Sequence, residues 1–233
     1  MQIKNQPLGY RHELKYYLNY ADYRVISKRI GALMSRDKNA GPKGEYFIRS
    51  LYFDDLEDSA FRDKMSGVDF RDKHRIRIYN LDDGVIKLEC KHKEGSYIKK
   101  DSISISPDEC RRMIKGDYGF LAERDEAFAR QLQLKFKLEP MRPRVLVDYM
   151  REPYVFPYGN VRVTFDKDIR SAYRMTDIFD PDLPTYPVLP SGIVVLEVKF
   201  DEVLPDFIAS IVQADAPVRS AVSKYVLCRQ FEM

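Results

Sequence analysis

The sequence is poor in cysteine, which limits how the chain can be cross-linked. Its 3 cysteines, Cys90, Cys110 and Cys228, are odd in number and widely spaced, and none of them belongs to a CxxC pair. This usage indicates neither a disulfide framework nor a zinc site. It fits a protein kept in the reducing cytosol, and we expect a cytoplasmic location.

Long apolar segments are also absent. Residues 1–18 are charged and lack the apolar core of a secretion signal. No later run approaches the roughly 20 apolar residues that a membrane-spanning helix needs. We therefore expect no membrane span.

The chain has little net charge and no internal repetition. Its 39 basic and 36 acidic residues leave a formal charge of +3, which excludes a general nucleic-acid coat, so we expect no DNA partner. Any cationic function must be local. We find no internal repeat and no low-complexity segment, and 233 residues suit one barrel or sandwich. The sequence predicts a single domain over residues 1–233.

Residues 73–93, KHRIRIYNLDDGVIKLECKHK, are the most informative segment. An Asp-Gly pair between two alternating segments is a strong hairpin signal and places the turn at Leu81–Gly84. Successive side chains of a strand point to opposite sides, so each strand of this hairpin has two distinct faces. One face carries mostly cations: Lys73, Arg75, Arg77, Lys87, Lys91 and Lys93, together with Tyr79 and Glu89.

Further strands and helices follow from the same kind of pattern, and several of the strands also carry charge at every second position. The predicted strands are Tyr10–Leu18, Glu45–Asp54, Tyr97–Ser106, Pro143–Glu152, Asn160–Asp168 and Ile193–Phe200. Helical periodicity and capping signals predict helices that begin at Asp22 and at Ser106, and helices over Ala122–Leu138, Pro205–Asp215 and Pro217–Phe231.

A solvated basic face would explain one such hairpin, but it does not explain the recurrence. Alternating antiparallel strands with a charged face either turn that face to solvent or close around a wet lumen. Apolar residues on the opposite face, and several amphipathic helices that can cover it, favour closure. We predict an α+β fold: a closed antiparallel β-barrel with a charged lumen, covered by several amphipathic helices.

The predicted lumen carries mostly cations with a few acids between them. Facing cations repel one another in a space of low dielectric constant, so the natural ligand is a polyanion. Arginine binds phosphate oxygens through its planar fork, and lysine supplies a point charge. The carboxylates are oxygen ligands suited to Mg²⁺ or Mn²⁺. The predicted wall consists of Arg11, Lys15, Arg75, Arg77, Lys87, Lys91, Arg162 and Lys199, with Glu13, Glu89 and Glu197.

Several short motifs together carry a resemblance to a known family. In chain order they are RHELKY at 11–16, SLYFD at 50–54, RIRIY at 75–79, LECKHK at 88–93, YMR at 149–151, VRVTFDKD at 161–168, LEVKF at 196–200 and SKY at 223–225. The chain thereby resembles the VTC domain, the polyphosphate polymerase family within the triphosphate tunnel metalloenzymes, which are CYTH-like proteins. Eight motifs in the right order are far more specific than any one of them.

The resemblance implies a tunnel that moves the γ-phosphate of ATP onto a growing inorganic polyphosphate chain and releases ADP. Its ligands would be ATP and inorganic polyphosphate or pyrophosphate, and its cofactor Mn²⁺ or Mg²⁺. The residues expected to clamp the reacting phosphates are Lys15, Arg75, Arg77, Lys91, Arg162 and Lys199. Further phosphate contacts are expected at Arg11, Arg151, Ser223, Lys224 and, in preference to Lys99, at Lys100. Glu197 matches the metal-binding carboxylate, with Glu89 and Glu13 as further candidates.

Arg49 is the one cation in a strand that otherwise reads as buried. An unpaired buried charge is very costly, so this arginine needs an anion, which is either a nearby acid or the substrate. We include it, together with Lys87, among the candidate substrate contacts. The three histidines receive no catalytic role, and Cys90 is expected in the core.

One departure from the tunnel pattern bears on the reaction. Hydrolytic tunnel enzymes usually begin with ExExK, whereas Arg11 occupies the first acid position here. This removes a carboxylate and adds a phosphate contact, which favours polymer synthesis over hydrolysis. Two alternatives stay open: a tunnel triphosphatase acting on tripolyphosphate, nucleoside triphosphates or RNA 5′-triphosphate ends, and a non-catalytic module that binds polyphosphate or RNA. The oligomeric state does not follow from the sequence.

Overall fold

A computed structural model describes residues 11–95, 97–213 and 220–233 of the protein. Their strands are β1 (His12–Leu18), β2 (Ser35–Arg36), β3 (Tyr46–Asp54), β4 (Phe70–Tyr79), β5 (Asp82–Glu94), β6 (Tyr97–Ile105), β7 (Arg142–Phe156), β8 (Val161–Ser171), β9 (Tyr186–Pro187) and β10 (Val194–Phe200). Their α-helices are α1 (Tyr20–Leu33), α2 (Ser59–Met65), α3 (Pro107–Ile114), α4 (Ala127–Leu138), α5 (Asp206–Gln213) and α6 (Lys224–Glu232).

The strands form one curled antiparallel sheet in the order β1-β10-β8-β7-β3-β4-β5-β6, and the short strands β2 and β9 pair with β7 and β8. The two edge strands approach each other, and Arg11 and Ile98 exchange backbone hydrogen bonds of 2.9 and 3.1 Å. The predicted α+β tunnel fold is confirmed. Among the described residues, this pair joins the seam between β1 and β6.

The central hairpin turns earlier than the Asp-Gly signal indicates. Asn80 and Leu81 adopt the left-handed conformation, with φ of 53° and 57°, and form the turn. Asparagine tolerates this conformation, and the Asn80 side chain also accepts a hydrogen bond of 3.0 Å from the backbone of Phe47. Gly84 instead lies where the register of β4 and β5 shifts, and its amide donates to Asp82 at 2.6 Å. The hairpin was therefore predicted correctly and its turn was not.

Capping side chains set the beginning of α1 and α3. The first starts at Tyr20, two residues before the predicted Asp22, because the Asn19 side chain accepts a hydrogen bond of 2.9 Å from the Asp22 amide. The second has the predicted capping box, in which Ser106 and Glu109 each bond the other's backbone amide.

Two helices are shorter than predicted. α4 begins at Ala127, because residues 119–123 form a 3₁₀ turn instead of its first turns. α6 begins at Lys224 with Ser223 as its cap. Residues 220–223 are not helical, since the amide of Ser220 donates to the backbone oxygen of Lys15 at 2.9 Å. Three predicted element ends lie outside the described residues: Tyr10, Asp215 and Pro217.

Apolar clusters pack on both sides of the sheet. One outer cluster joins β3 to β6 with α3 and α4, around Ile76 and Phe136. A second joins β1, β8 and β10 with α1 and α5, around Ile26 and Phe165. A third lies on the cavity side, where α6 contributes Tyr225 and its neighbours. Helices thus cover the outer faces as predicted, and α6 in addition fills part of the interior.

A buried ion pair joins β3 to β7 on the outer side of the sheet. Arg49 Nη2 lies 2.8 Å from Asp148 Oδ2, and both side chains are 3 % exposed. Removing one partner leaves the other charge buried without compensation. We expect Asp148→Asn to lower the free energy of unfolding by about 3–5 kcal/mol, measured by urea denaturation.

The matched control removes an exposed pair. Lys135 Nζ lies 2.6 Å from Glu139 Oε1 on the surface of α4, and Glu139→Gln should change the free energy of unfolding by about 0.5 kcal/mol or less. A loss from Asp148→Asn no larger than the loss from this control would contradict the assignment.

Candidate active site

The curled sheet encloses a cavity of about 980 Å³, which is large for a small-molecule site. Inward-facing positions of eight strands line it, together with residues 220–225. The alternation that was read from the sequence thus brings most of the predicted site residues to one space. Those on its wall are Arg11, Glu13, Lys15, Arg75, Arg77, Lys91, Lys100, Arg151, Arg162, Glu197, Lys199, Ser223 and Lys224.

Glu13 and Glu197 place two carboxylates close together in this cavity. Antiparallel pairing of β1 with β10 sets Lys15 opposite Glu197, and Lys15 Nζ lies 3.3 Å from an oxygen of each carboxylate. Lys199 Nζ lies 2.6 Å from Glu197, and Lys91 Nζ lies 2.7 Å from Glu13. Both carboxylates are only 6 % exposed, so three lysines hold them away from solvent.

These cations keep both carboxylates ionised. Burial and the neighbouring Glu197 raise the pKa of Glu13, but Lys15, Lys91 and Lys199 outweigh them and lower it to about 2. Burial also raises the pKa of Glu197, and the surrounding cations, Lys199 first, lower it well below its ordinary value. Two ionised carboxylates with little exposure are the ligands that a hard divalent cation prefers.

Glu89, the third predicted metal ligand, stands apart from these two acids. Its oxygens lie 2.6 Å from Arg75 Nη2 and 2.8 Å from Lys100 Nζ, and the side chain is 1 % exposed. β6 separates β5 from β1, and Glu89 lies two residues beyond Lys91, the β5 residue that reaches Glu13. Glu89 therefore orients cations of the wall and does not join the carboxylate pair.

Tyrosine hydroxyls that the sequence reasoning missed hold the arginines of β4. Arg75 donates to the hydroxyl of Tyr52 at 2.9 Å, and Arg77 donates to the hydroxyl of Tyr149 at 3.0 Å. Arg77 also donates to Ser50 Oγ at 3.1 Å. The signal for them was the same alternation, since these partners occupy inward positions of β3 and β7. The guanidinium forks are consequently fixed before any ligand binds.

Asp166 is a further buried acid of the site. It is fully buried and accepts hydrogen bonds of 2.7 and 2.8 Å from Arg151, while Lys224 Nζ lies 2.5 Å from it. Lys224 is the first residue of α6, whose cap Ser223 accepts a hydrogen bond of 2.9 Å from Lys73. The beginning of α6 is thereby fixed against the cavity wall.

Arg162 and Arg11 line the cavity with partners of their own. Arg162 lies 2.8 Å from Asp37 and donates to the hydroxyl of Tyr46 at 2.9 Å. Arg11 Nε lies 3.0 Å from Asp201. Each of these arginines must exchange an internal partner for a ligand oxygen, or share its donors between the two.

Two predicted substrate contacts do not reach the cavity. Arg49 faces outward on β3, and Asp148 neutralises it, so the nearby acid satisfies this cation. Lys87 lies towards the hairpin end of β5 and donates to a serine of β6 at 2.7 Å. We therefore leave both out of the site. On β6 it is Lys100 that lines the cavity, whereas Lys99 pairs with an aspartate of its own strand.

Four more cations lie on the cavity wall beyond those assigned from the sequence: Lys64 of α2, Arg71 and Lys73 of β4, and Lys93 of β5. Within residues 11–95, 97–213 and 220–233, none of the four forms an ion pair with a carboxylate. Burial, followed by the repulsion of Lys15 and other cations, lowers the pKa of Lys73 well below its ordinary value. Asp63 and Asp69 partly offset the charge of Arg71, and Asp69 and Glu13 that of Lys93, so this part of the wall is cationic without direct ion pairs among the described residues.

A curled antiparallel sheet thus surrounds a lumen lined by arginine, lysine and ionised glutamate. The chain belongs to the VTC domain family, whose sequence profile matches residues 10–232, and the resemblance read from its motifs is confirmed. No curated protein matches the chain. No helix in the described part of the chain has the length and apolar content to cross a membrane.

Solved structures share the fold at low sequence identity. A putative adenylyl cyclase from Hippeastrum, described as having a dominant triphosphatase activity, is 12% identical, with a TM-score of 0.56 and 96% of each chain covered. A protein from Pyrococcus horikoshii is 14% identical over 95% of this chain and 99% of that one, with a TM-score of 0.48. A putative adenylate cyclase from Bacillus halodurans is 12% identical over 89% of each chain, with a TM-score of 0.49. The first likeness supports the fold and nothing finer.

Lys91 gives the cavity a charge that depends on pH. Burial, together with Lys15 and Lys199, lowers its pKa to about 7, although Glu13 and Glu197 act in the opposite direction. A bound polyanion stabilises the ammonium form and raises this pKa, so binding above that pH takes up a proton. We expect the affinity for pyrophosphate to fall as the pH rises from about 7 to about 9.

Calorimetric titration of pyrophosphate at several pH values tests this expectation. The ligand's own protonation is common to all variants, so the difference between the wild type and Lys91→Gln isolates the lysine. Lys87→Gln, on the same strand but outside the cavity, should keep the wild-type pH dependence. An identical pH dependence in the wild type and in Lys91→Gln would show that another group is responsible.

Proposed function

We propose that the protein is a polyphosphate polymerase, which transfers the γ-phosphoryl group of ATP to a growing inorganic polyphosphate chain and releases ADP. The observation that carries this proposal is the cavity wall, where two ionised carboxylates adjoin cations that form no ion pair among the described residues. Membership of the VTC domain family supports it. In this proposal residues 1–233 form one catalytic domain that acts in the cytoplasm.

The residues present fit a divalent metal ion. Glu13 and Glu197 are little exposed and ionised, and their ion-pair partners are mainly lysines, which contact the carboxylates as single point charges. Carboxylate oxygens suit Mg²⁺ and Mn²⁺ better than softer metals. We propose that these two residues hold the ion and that Glu89, which is occupied by arginine and lysine, does not. When bound, such an ion neutralises developing charge on the phosphate oxygens.

The chain's own side chains position the two phosphate groups that react. Arg75 and Arg77 offer forks already fixed by tyrosine hydroxyls, so little conformational freedom is lost when they bind phosphate oxygens. Lys15, Lys91 and Lys199 lie beside the carboxylate pair and neutralise the charge of the bound chain. Together these five cations favour the in-line arrangement of attacking and leaving oxygens on which phosphoryl transfer depends.

The transfer needs no general base from the protein. A terminal oxygen of the acceptor chain, already ionised, attacks the γ-phosphorus of ATP. The bond from that phosphorus to its bridging oxygen breaks, and ADP leaves with the electron pair. The protein's contribution is alignment and charge neutralisation, which agrees with a wall rich in cations.

The part of the wall whose cations form no ion pair among the described residues favours a long ligand. Lys64, Arg71, Lys73 and Lys93 extend the cationic surface beyond the carboxylate pair, towards α2. A single nucleotide does not require this extension, whereas an inorganic phosphate chain carries negative charge along its whole length. Arg11 supports the same choice, since it occupies the position at which hydrolytic tunnel enzymes usually carry an acid.

The direct test follows ATP turnover in the presence of Mn²⁺ or Mg²⁺ and measures ADP, orthophosphate and polyphosphate in one reaction. We expect polyphosphate to accumulate in step with ADP, with little orthophosphate. ADP formed together with orthophosphate alone would overturn the proposal in favour of a tunnel triphosphatase. Tight binding of polyphosphate without turnover would identify a binding module instead.

Glu197→Gln tests the carboxylate pair without changing the size of the side chain. We expect turnover to fall by about 100-fold or more, because metal-ion catalysis contributes several kcal/mol. The affinity for polyphosphate should be retained or increased, since a negative charge facing the ligand is removed. Glu202→Gln, an exposed glutamate after β10, is the matched control and should behave as the wild type. Full activity of Glu197→Gln would exclude Glu197 as a metal ligand.

A further inference from the structure

A cluster of metal-binding side chains lies outside the tunnel, on the outer face of β4 and β5. Asp72 and His74 alternate along β4, and Cys90 and His92 alternate along β5. The ladder sets Asp72 opposite His92 and His74 opposite Cys90. Side chains that face each other across an antiparallel pair lie close enough to share a ligand. Two neighbouring pairs thus form a square of one carboxylate, one thiol and two imidazoles.

We propose that this square is a binding site for Zn²⁺. Ligand atoms of Asp72, His74 and Cys90 all lie within 4.8 Å of one another. His92 Nδ1 lies 3.8 Å from Cys90 Sγ and 2.6 Å from Asp72 Oδ1. Zinc bonds of about 2.0–2.3 Å place the ligand atoms of a tetrahedral site about 3.3–3.8 Å apart. Closing the square around an ion therefore requires the ligand atoms of Asp72, His74 and Cys90 to approach one another by up to about 1.5 Å, with His92 following from its contacts with Asp72 and Cys90.

The donor set selects a different kind of metal from the tunnel. Thiolate and imidazole are the ligands of Zn²⁺ and related transition metals, while the tunnel offers carboxylate oxygen alone. Burial lowers the pKa of His74 to about 4, whereas the hydrogen bond to Asp72 raises the pKa of His92, so a metal ion must displace a proton from the second imidazole. Burial raises the pKa of the Cys90 thiol, and a metal ion that coordinates the sulfur displaces its proton.

A second layer of contacts orients the cluster as metal sites require. His92 Nε2 lies 3.1 Å from Asp101 Oδ2 on β6, and Lys99 Nζ lies 3.0 Å from the same carboxylate. A carboxylate that accepts the second N–H of a metal-binding histidine fixes its tautomer and ring orientation. Here the contact with Asp101 leaves Nδ1 of His92 directed towards Asp72 and Cys90.

Burial and access also suit an ion that enters from solvent. Cys90 and His74 are 1 % and 3 % exposed, and the ring of Phe136 packs edge-on against His74 at 5.3 Å. Asp72 and His92 are 38 % and 31 % exposed and form the open side. The apolar floor protects the thiol, and the open side admits the metal. No CxxC spacing marks these residues along the chain, because ladder pairing brings them together.

The test uses Co²⁺ as a spectroscopic substitute for Zn²⁺, added to metal-depleted protein under reducing conditions. We expect about one equivalent to produce the visible bands of a tetrahedral site and a thiolate-to-cobalt charge-transfer band in the near ultraviolet, both removed by Zn²⁺. No cysteine lines the tunnel among the described residues, so the charge-transfer band reports the outer site whatever the tunnel binds. Its outcome is therefore independent of the proposed reaction.

Matched variants identify the ligands. Cys90→Ser should abolish the charge-transfer band, and Asp101→Asn should weaken Zn²⁺ binding by about 10–100-fold through the orientation of His92. Cys110→Ser, which changes a buried cysteine of α3, and Glu197→Gln should both keep the band. Circular dichroism checks the fold of each variant, and His92→Gln, whose side chain is partly exposed, should weaken Co²⁺ binding and replaces Cys90→Ser if the latter fails to fold. Absence of the band in the wild type, its persistence in Cys90→Ser, or an unchanged Co²⁺ affinity in His92→Gln would overturn the proposal.

Discussion

Neutralisation of charge inside the curled sheet is the constraint on which the rest of the structure depends. Strand alternation directs every second side chain of β1, β4, β5 and β10 into one space, and most of these side chains are cations. Their mutual repulsion is strong where water is partly excluded, so the fold needs internal anions. The lysines and arginines of the wall can pair either with these internal anions or with an anionic ligand. Even without a ligand, the wall is arranged around negative charge. The acids that supply it, each beside at least two cations, are Glu13, Glu89, Asp166 and Glu197.

Apolar packing on both sides of the sheet supports this charged interior. Outer clusters bury side chains such as Ile76, Leu88 and Phe165 completely, each worth about 1.5–3 kcal/mol relative to exposure. The inner cluster around Tyr225 and Val195 occupies part of the barrel, so the charged wall is confined to the remainder. One strand face can therefore be apolar at one point and ionic two residues later, as β10 shows. The position of α6 decides where this change occurs.

Alternation and capping signals were sufficient to predict the strands, most of the helices and the inward direction of most cations. They failed where a face cannot be read from one strand alone. β3 is buried at nearly every position, so its sequence does not alternate, and Arg49 could not be assigned to the outer side. Alternation indicates on which face of a strand a side chain lies, but not its position along the barrel axis. Glu89 was therefore grouped with the other acids of the same face. Tyrosines that bind Arg75 and Arg77 carry no charge and escaped a search for charged residues.

The seam between β1 and β6 is held by a side-chain contact inside the lumen as well as by backbone hydrogen bonds. Among the described residues one backbone pair joins these strands, while every other neighbouring pair along the main sheet shares a ladder. Inside the barrel the seam is spanned by the contact between Lys91 and Glu13. An anion that draws Lys91 away from Glu13 removes this inner contact. Anion binding in the lumen and the join between the two edge strands are therefore coupled through one lysine.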